Sequence, residues 1–326
     1  MRLQGEIIRE ACSQWPNTPT KTLAQKIYAE NPEVFKDAEY VRTGVRYYRG
    51  QRGDGFRKYK THEYPSKIYS PFDELPAPLT DYADWSHHVL TPGKWLVLAD
   101  LHVPYYCREE LIVALQYGLD EEVDGIVLLG DIADFYSCSF WCKDPRRRDF
   151  KKERDAVLAV LSVIRNLFPT IPIVYKLGNH EERLERYLRI KAPELLDLEL
   201  IDFRAIIEAK RFNIDIVGDK RIIKLGRLYL LHGHEFGKGF FSPVNPARGL
   251  YLKGKEISLC AHYHQTSQHT EKSMADVVTS CWSIGGLCDL HPEYAPLNKW
   301  NHGFAIVDAR NEFVVKNPKI IHGQVY

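Results

Sequence analysis

Trp95-Leu96-Val97-Leu98-Ala99-Asp100-Leu101-His102 is an apolar run that ends on metal-binding side chains, and the chain repeats the device four more times. Ile126-Val127-Leu128-Leu129 leads into Gly130-Asp131-Ile132-Ala133-Asp134, and Ile173-Val174-Tyr175-Lys176-Leu177 leads into Gly178-Asn179-His180-Glu181. Leu228-Tyr229-Leu230-Leu231 precedes His232-Gly233-His234, and Ile257-Ser258-Leu259-Cys260 precedes His262-Tyr263-His264. A short run rich in apolar and β-branched residues reads as a buried strand. Strand ends of one open sheet converge on a shared crevice, where such folds bind ligands. The donors are Asp, Asn and His without Cys. That set suits borderline-hard divalent ions better than a thiolate zinc site does.

Outward from these motifs, strands and helices alternate. The strand ending at Ala99 is followed by a helical stretch over residues 108–118. The strand ending at Leu129 is followed by a long amphipathic helix over 151–168, and the strand ending at Leu177 by a helix over 181–190. Such alternation implies crossover units and parallel pairing. The later chain is richer in strands, at 214–217, 221–224, 228–231, 257–260, 277–281 and 304–307, which suits a second sheet packed on the first.

Residues 1–50 read as a separate helical module. Leu3, Ile7, Ile8 and Ala11 recur at helical spacing, and Thr20 is placed to cap a second helix through Leu23, Ala24 and Ile27. Asp37 is placed to cap a third, through Val41 and Val45. Three short helices in this order form a helix-turn-helix-like pattern. The third carries Arg42, Arg46 and Arg49, which suit phosphate contacts of a nucleic-acid-binding helix and equally suit a solvated packing face. Residues 51–92, with five prolines and little periodicity, read as a linker or wrapping segment, leaving 93–326 as the main domain.

Composition excludes some classes. The 44 Lys and Arg nearly balance the 43 Asp and Glu, so the net charge of +1 exerts no global pull on nucleic acid or anionic lipid. No apolar stretch approaches the roughly 20 residues that span a bilayer. Seven cysteines without scaffold spacing point to a reducing, cytoplasmic setting with no membrane partner.

The ordered set D-x-H, G-D-x-x-D, G-N-H-E, H-G-H and x-H-x-H resembles the calcineurin-like metallophosphoesterases over roughly residues 94–310. The resemblance implies an α/β fold: a four-layer α/β/β/α sandwich of two mixed sheets, here with the small N-terminal helical domain. It assigns Asp100, His102 and His264 to one divalent ion, and Asn179, His232 and His262 to a second, with Asp131 bridging both. Mn²⁺ is the first expectation, and Fe²⁺, Zn²⁺ and Ni²⁺ accept the same donors. A hydroxide held between the ions is the expected nucleophile. His180 is the expected general acid or phosphate-stabilising imidazolium. In relatives with this spacing the residue at Asp134 pairs with the histidine at His180. Two positions depart from the family pattern: Ala261 stands for a glycine, and Gln265 for a frequent arginine.

The stretch after Asp134 carries Phe135, Tyr136, Phe140 and Trp141, then Lys143, Arg146, Arg147 and Arg148. It suits base stacking and phosphate contact, or a packed aromatic cluster beside a solvated basic helix start. With Arg146 and Arg147 in that stretch, Arg183 past the third motif and His234 in the fourth are the further substrate-binding candidates. Together they favour a phosphodiesterase or nuclease acting on nucleic acid or nucleotides. A phosphomonoesterase, and a DNA-binding or scaffold protein with a vestigial esterase domain, are the alternatives. Phe135 stands where protein phosphatases of the superfamily carry an arginine.

Overall fold

The computed structural model describes residues 4–50, 76, 85–218, 220–237, 244–311 and 313–326. Most of the expected linker, 51–75 and 77–84, lies outside the described residues. The chain divides into two compact units, Met1–Tyr82 and Ala83–Tyr326.

The first unit holds α1 (Gln4–Gln14), α2 (Thr20–Glu30) and α3 (Ala38–Tyr48) around a small core of Ile8, Leu23, Ile27, Phe35, Val41 and Val45. Asp37 caps α3 by accepting from the Tyr40 N–H at 2.7 Å. Thr20 does not cap α2. It is the first helical residue, and Pro19 holds the cap position without a side-chain bond. Seven residues, 31–37, separate α2 from α3, longer than the three or four of a tight helix-turn-helix.

The second unit contains two six-stranded sheets. Its strands are β1 (His88–Leu90), β2 (Lys94–Leu98), β3 (Gly125–Leu129), β4 (Ile173–Lys176), β5 (Ile214–Val217), β6 (Ile223–Leu225), β7 (Leu228–Leu231), β8 (Ser258–Cys260), β9 (Ser267–Lys272), β10 (Val278–Ser283), β11 (His302–Gly303), β12 (Ala305–Asp308), β13 (Val314–Lys316), β14 (Lys319–Ile321) and β15 (Gln324–Val325). The first sheet runs β13-β12-β2-β3-β4-β5, parallel from β2 to β5 and antiparallel at its other edge. The second runs β1-β6-β7-β8-β10-β9, also mixed. β1 joins this sheet from inside the stretch expected to be linker. A small third sheet orders β11-β14-β15.

Side-chain alternation along a strand explains the layers. Trp95, Val97, Val127 and Leu129 point into a core shared with Ile223, Leu225, Leu230 and Leu259 of the second sheet. Leu96, Leu98, Ile126 and Leu128 point the other way, onto helices α4 (Arg108–Asp120), α5 (Phe150–Leu167) and α6 (Glu182–Lys191). A short α7 (Phe203–Ile206) adds Phe203 and Ile206 to that helical layer. On the outer face of the second sheet α8 (Pro246–Gly254) sets Ala247 and Leu250 against Leu231, Cys260 and Cys281. Helix, sheet, sheet, helix is the four-layer sandwich, and all five motifs fall directly after β2, β3, β4, β7 and β8.

Candidate metal centre

The loops after β2, β3 and β8 break away sharply from their strands. Asp100, His102, Asp131, His262 and His264 all adopt positive φ, between 50° and 69°. Gly130 turns at φ +90°, where a Cβ would lie 2.5 Å from His232 Nδ1. At Gly178 a Cβ would sit 2.3 Å from Asp131 Oδ1. Glycine is therefore needed at both, so that the second and third loops can close on each other.

Asp131 is buried at the centre. Its Oδ1 accepts from the His180 N–H at 2.8 Å. Its Oδ2 faces three imidazole Nε2 atoms: His232 at 3.2 Å, His180 at 3.7 Å and His102 at 3.9 Å. On one side His102 Nε2 and His264 Nε2 stand 3.2 Å apart, with Asp100 Oδ1 3.4 Å from the latter. On the other, donor atoms of Asp131, His232 and His262 lie within 4.8 Å of one another, as do those of His102, Asp131 and His180.

The donor set fits two divalent ions. Asp100 Oδ1, Asn179 Oδ1, His232 Nε2 and His262 Nδ1 are buried without hydrogen-bond partners. Buried polar atoms in proteins are otherwise almost always paired; here Asn179 Oδ1 and His262 Nδ1 have no partner, and Asp100 Oδ1 and His232 Nε2 face only a charged group, at 3.4 and 3.2 Å, which marks a place for cations. Second partners fix several rings, as at known metal ligands. His232 Nδ1 is 2.8 Å from the Leu129 carbonyl, and His102 Nδ1 is 3.2 Å from Asp134 Oδ2.

Electrostatics agree. Burial resists charge on His232, but Asp131 and Asp100 outweigh it and raise its pKa to about 10. Burial is likewise overcome at His264, which Asp100 lifts well above the ordinary imidazole range. His262, where burial prevails and His232 adds repulsion, falls to about 4. The aspartates thus draw positive charge onto neighbouring rings, a demand that divalent cations satisfy.

His180 and Asp134 meet, with Nδ1 to Oδ2 at 3.2 Å. Asp134 is shared, however, because His102 reaches the same oxygen. Arg183 is not at the rim. Its guanidinium donates to Asp134 O and Oδ1 at 2.9 and 3.1 Å and to His180 Nε2 at 2.7 Å, with its side chain 14% exposed. His234 Nε2 contacts Glu182 at 3.0 Å, and its ring abuts His232. Arg147 lies over the Tyr105 and Tyr136 rings and pairs with Glu293. Arg146 is solvated and held by Asp144. Phe135 is fully buried against Phe150 and Phe203, a core residue rather than a stacking surface. Phe140 and Trp141 are 72% and 73% exposed.

In the N-terminal unit Arg42 pairs with Glu39 and Arg46 is exposed. Arg49 turns inward, donating to the Trp15 and Thr18 carbonyls, against the expectation of a phosphate contact.

Several supports of the centre leave little trace in the sequence. Glu181 accepts from the Gly178, Asp131, Ile132 and Ala133 N–H groups and from the Tyr175 hydroxyl. Glu235 accepts from the His232 and Gly233 N–H groups and pairs with fully buried Lys176 at 2.8 Å. Cys288 Sγ sits 3.6 Å from His264 Nδ1, and the Trp300 ring lies tilted against that imidazole, centroids 4.2 Å apart. The only hint in the sequence was the Glu that completes G-N-H-E.

The sequence profile of the calcineurin-like phosphoesterases matches residues 93–274, more than half of the chain. The chain belongs to this family. Two curated relatives of this phosphoesterase are the "Gene 54 protein" of Mycobacterium phage L5, 25% identical, and that of phage D29, 24% identical, each over 147 residues. The matches cover 44% of the phosphoesterase chain and 57% of each relative, so just over half of the relatives' length is spanned. Among solved structures, Vacuolar Protein Sorting 29 from Cryptosporidium parvum is 12% identical with a TM-score of 0.39, covering 72% of this chain and 96% of that one. A dimetal phosphatase from Danio rerio is 13% identical with a TM-score of 0.36, covering 68% and 95%.

Proposed function

We propose that the chain is a two-metal phosphodiesterase that hydrolyses nucleic-acid or nucleotide phosphodiesters. The observation that carries the metal dependence is the gathering of buried carboxylate and imidazole donors within 4.8 Å of one another on both sides of Asp131, with Asn179 Oδ1 and His262 Nδ1 left unpaired. Asp100, His102, Asp131 and His264 would hold one ion, and Asp131, Asn179, His232 and His262 the other. When bound, such ions neutralise phosphoryl oxygens and acidify water to a pKa of about 7. Mn²⁺ is the first candidate.

The chain's own groups supply the rest. Asp134 accepts from Nδ1–H of His180, which leaves Nε2 directed at the Arg183 guanidinium. Arg183 is the donor for a phosphoryl oxygen here, and His180 Nε2, which accepts from it, becomes a donor to a leaving oxygen only once the ring is doubly protonated. A proton delivered from His180 Nε2 requires the Arg183 contact to open.

Two features favour a diester. Arg183 is already engaged by Asp134, and Arg147 by Glu293, so these cations are partly neutralised, which suits a singly charged phosphate better than a dianionic monoester. Tyr105, Tyr136, Phe140, Trp141 and Tyr294 also offer rings to unpaired bases. Arg42 and Arg46 of the N-terminal unit would add phosphate contacts, and seven free cysteines suit a reducing cytoplasm. Among the described residues no helix is long and apolar enough to cross a membrane.

The test compares bis-para-nitrophenyl phosphate with para-nitrophenyl phosphate on the manganese-loaded protein. A higher kcat/KM on the diester is expected. Preference for the monoester would overturn the assignment, and turnover of neither together with tight DNA binding would favour the scaffold alternative.

A further inference from the structure

Outside the centre just described, Cys107, Glu110 and His302 bring a thiol, a carboxylate oxygen and an imidazole nitrogen within 4.8 Å of one another. Cys107 and Glu110 are neighbours in the chain, and His302 comes from far along it. Cys107 is the residue before α4, Glu110 lies in the first turn of α4, and His302 opens β11.

Three observations set this cluster apart from a chance contact. Glu110 is 8% exposed, and its Oε2 is buried with no hydrogen-bond partner. His302 Nε2 is 2.9 Å from the Cys288 carbonyl, which can only accept, so that nitrogen carries the proton. The other nitrogen, Nδ1, is 3.8 Å from Glu110 Oε1, too far for a hydrogen bond. The third member, Cys107 Sγ, makes only a long contact outside the cluster, to Glu109 Oε2 at 3.9 Å. Finally, the backbone holds the elements together: the Cys107 N–H donates to the Leu287 carbonyl at 2.8 Å, and Tyr106 bridges to Cys288.

We propose that Cys107, Glu110 and His302 form a third metal site, selective for Zn²⁺. Thiolate, imidazole and carboxylate together are a zinc donor set, and three protein ligands leave one position for water. Cys107 is partly exposed, which gives the ion a path in. The site would fasten α4 to β11. It would also act on the catalytic centre from outside, because the Cys288 that receives the His302 bond places its sulfur against His264. The site is a positioning element and takes no part in the chemistry.

Cobalt tests this on the full chain, because a cobalt–thiolate bond has a near-ultraviolet charge-transfer band that imidazole and carboxylate ligands lack. The two-metal centre has Cys288 beside it, so the variants must separate the two thiols. The expected result is a third equivalent of Co²⁺ or Zn²⁺ per chain, with the thiolate band present in the parent and in Cys288→Ser but absent in Cys107→Ser. His302→Gln should lower zinc affinity for the third equivalent by at least tenfold while two equivalents stay bound. Two equivalents in the parent, or a band that survives Cys107→Ser, would overturn the proposal. Because metal content and spectra are read without substrate, a failure of the phosphodiesterase assignment would leave this test standing.

Discussion

Replacing Glu181 by Gln should loosen the centre without touching a ligand. Glu181 Oε1 accepts from the Ile132 and Ala133 N–H groups at 2.9 and 3.1 Å and from the Tyr175 hydroxyl at 2.7 Å. Oε2 accepts from the Gly178 and Asp131 N–H groups at 2.8 and 3.0 Å. A glutamine has the same shape but only one acceptor oxygen. Turned to satisfy Oε1's partners, it sets an NH₂ group against two buried backbone N–H groups; turned the other way, it faces three donors. The cheaper orientation leaves two donors unpaired, at about 1–3 kcal/mol each, or roughly 2–6 kcal/mol together. Burial raises the Glu181 pKa, and Asp131 adds repulsion. Losing that charge offsets part of the damage, so the expected loss is near the lower end, about 2–3 kcal/mol. Urea unfolding of metal-free parent and variant measures it. Because the broken bonds hold the loop of Asp131, Mn²⁺ affinity should fall as well. A stability change below about 0.5 kcal/mol would refute the clamp. A full loss of stability with unchanged Mn²⁺ affinity would refute its role in placing Asp131.

Other outcomes follow from the same geometry. His180→Ala should retain both ions and lose about 10²–10⁴-fold in rate on poor leaving groups, less on good ones; loss of metal would instead make His180 a ligand. His232, at about 10, and His264, raised as well, hold protons at pH 7 that ligation must displace, so calorimetry in buffers of different ionisation enthalpy should show about two protons released. The raised His232 pKa also stabilises the metal-free fold fully below its unfolded value near 6.5 and is lost as pH rises toward 10, so metal-free stability should decline across that window. Neutralising Arg42 and Arg46 should flatten the salt dependence of nucleic-acid binding by about one unit of slope per lost phosphate contact. Arg49→Gln should instead lower the stability of the helical unit, because its guanidinium ties the Trp15 and Thr18 carbonyls.

The metal motifs were legible because each is a donor of fixed chemistry placed at the end of a buried strand, and buried strands announce themselves. Edge strands do not. Ser267–Lys272 forms β9 with the sequence Ser-Gln-His-Thr-Glu-Lys, too polar and too exposed to show an alternating pattern. His88–Leu90 is three residues long and was hidden among prolines. Long side chains were the other blind spot. Whether Arg49 or Arg183 reaches solvent or a neighbouring carbonyl depends on elements distant in sequence. Glu181 stood in the G-N-H-E motif but its role was illegible for a related reason: its partners are mostly backbone N–H groups, which every residue but proline possesses. In the Cys107, Glu110 and His302 cluster the first and last members are 195 positions apart (302 − 107), and the set matches no spacing rule.

The left-handed backbone at the ligands has a measurable consequence. That region costs an L-residue about 1–2 kcal/mol, though Asn, Asp and His tolerate it better than most. Five ligands adopt it, so the total approaches the whole stability of an ordinary domain, about 5–15 kcal/mol. The loops hold it through bonds that a relaxed backbone would lose: Asp100 Oδ2 accepts from the His262 N–H at 2.9 Å, Asp131 Oδ1 from His180, and Glu181 and Glu235 clamp the turns between. His262, at φ 69°, allows a clean test. At an ordinary position glycine is less stable than alanine by about 0.5–1 kcal/mol because it is freer when unfolded. At His262 the order should reverse. Both His262→Ala and His262→Gly lose the same imidazole and the same metal ligand, but only glycine accepts the backbone without strain. In metal-free protein, His262→Gly should be the more stable by about 1 kcal/mol. If alanine equals or exceeds glycine in urea unfolding, the loop relaxes when the ring is gone, and the positive φ belongs to the histidine rather than to the scaffold.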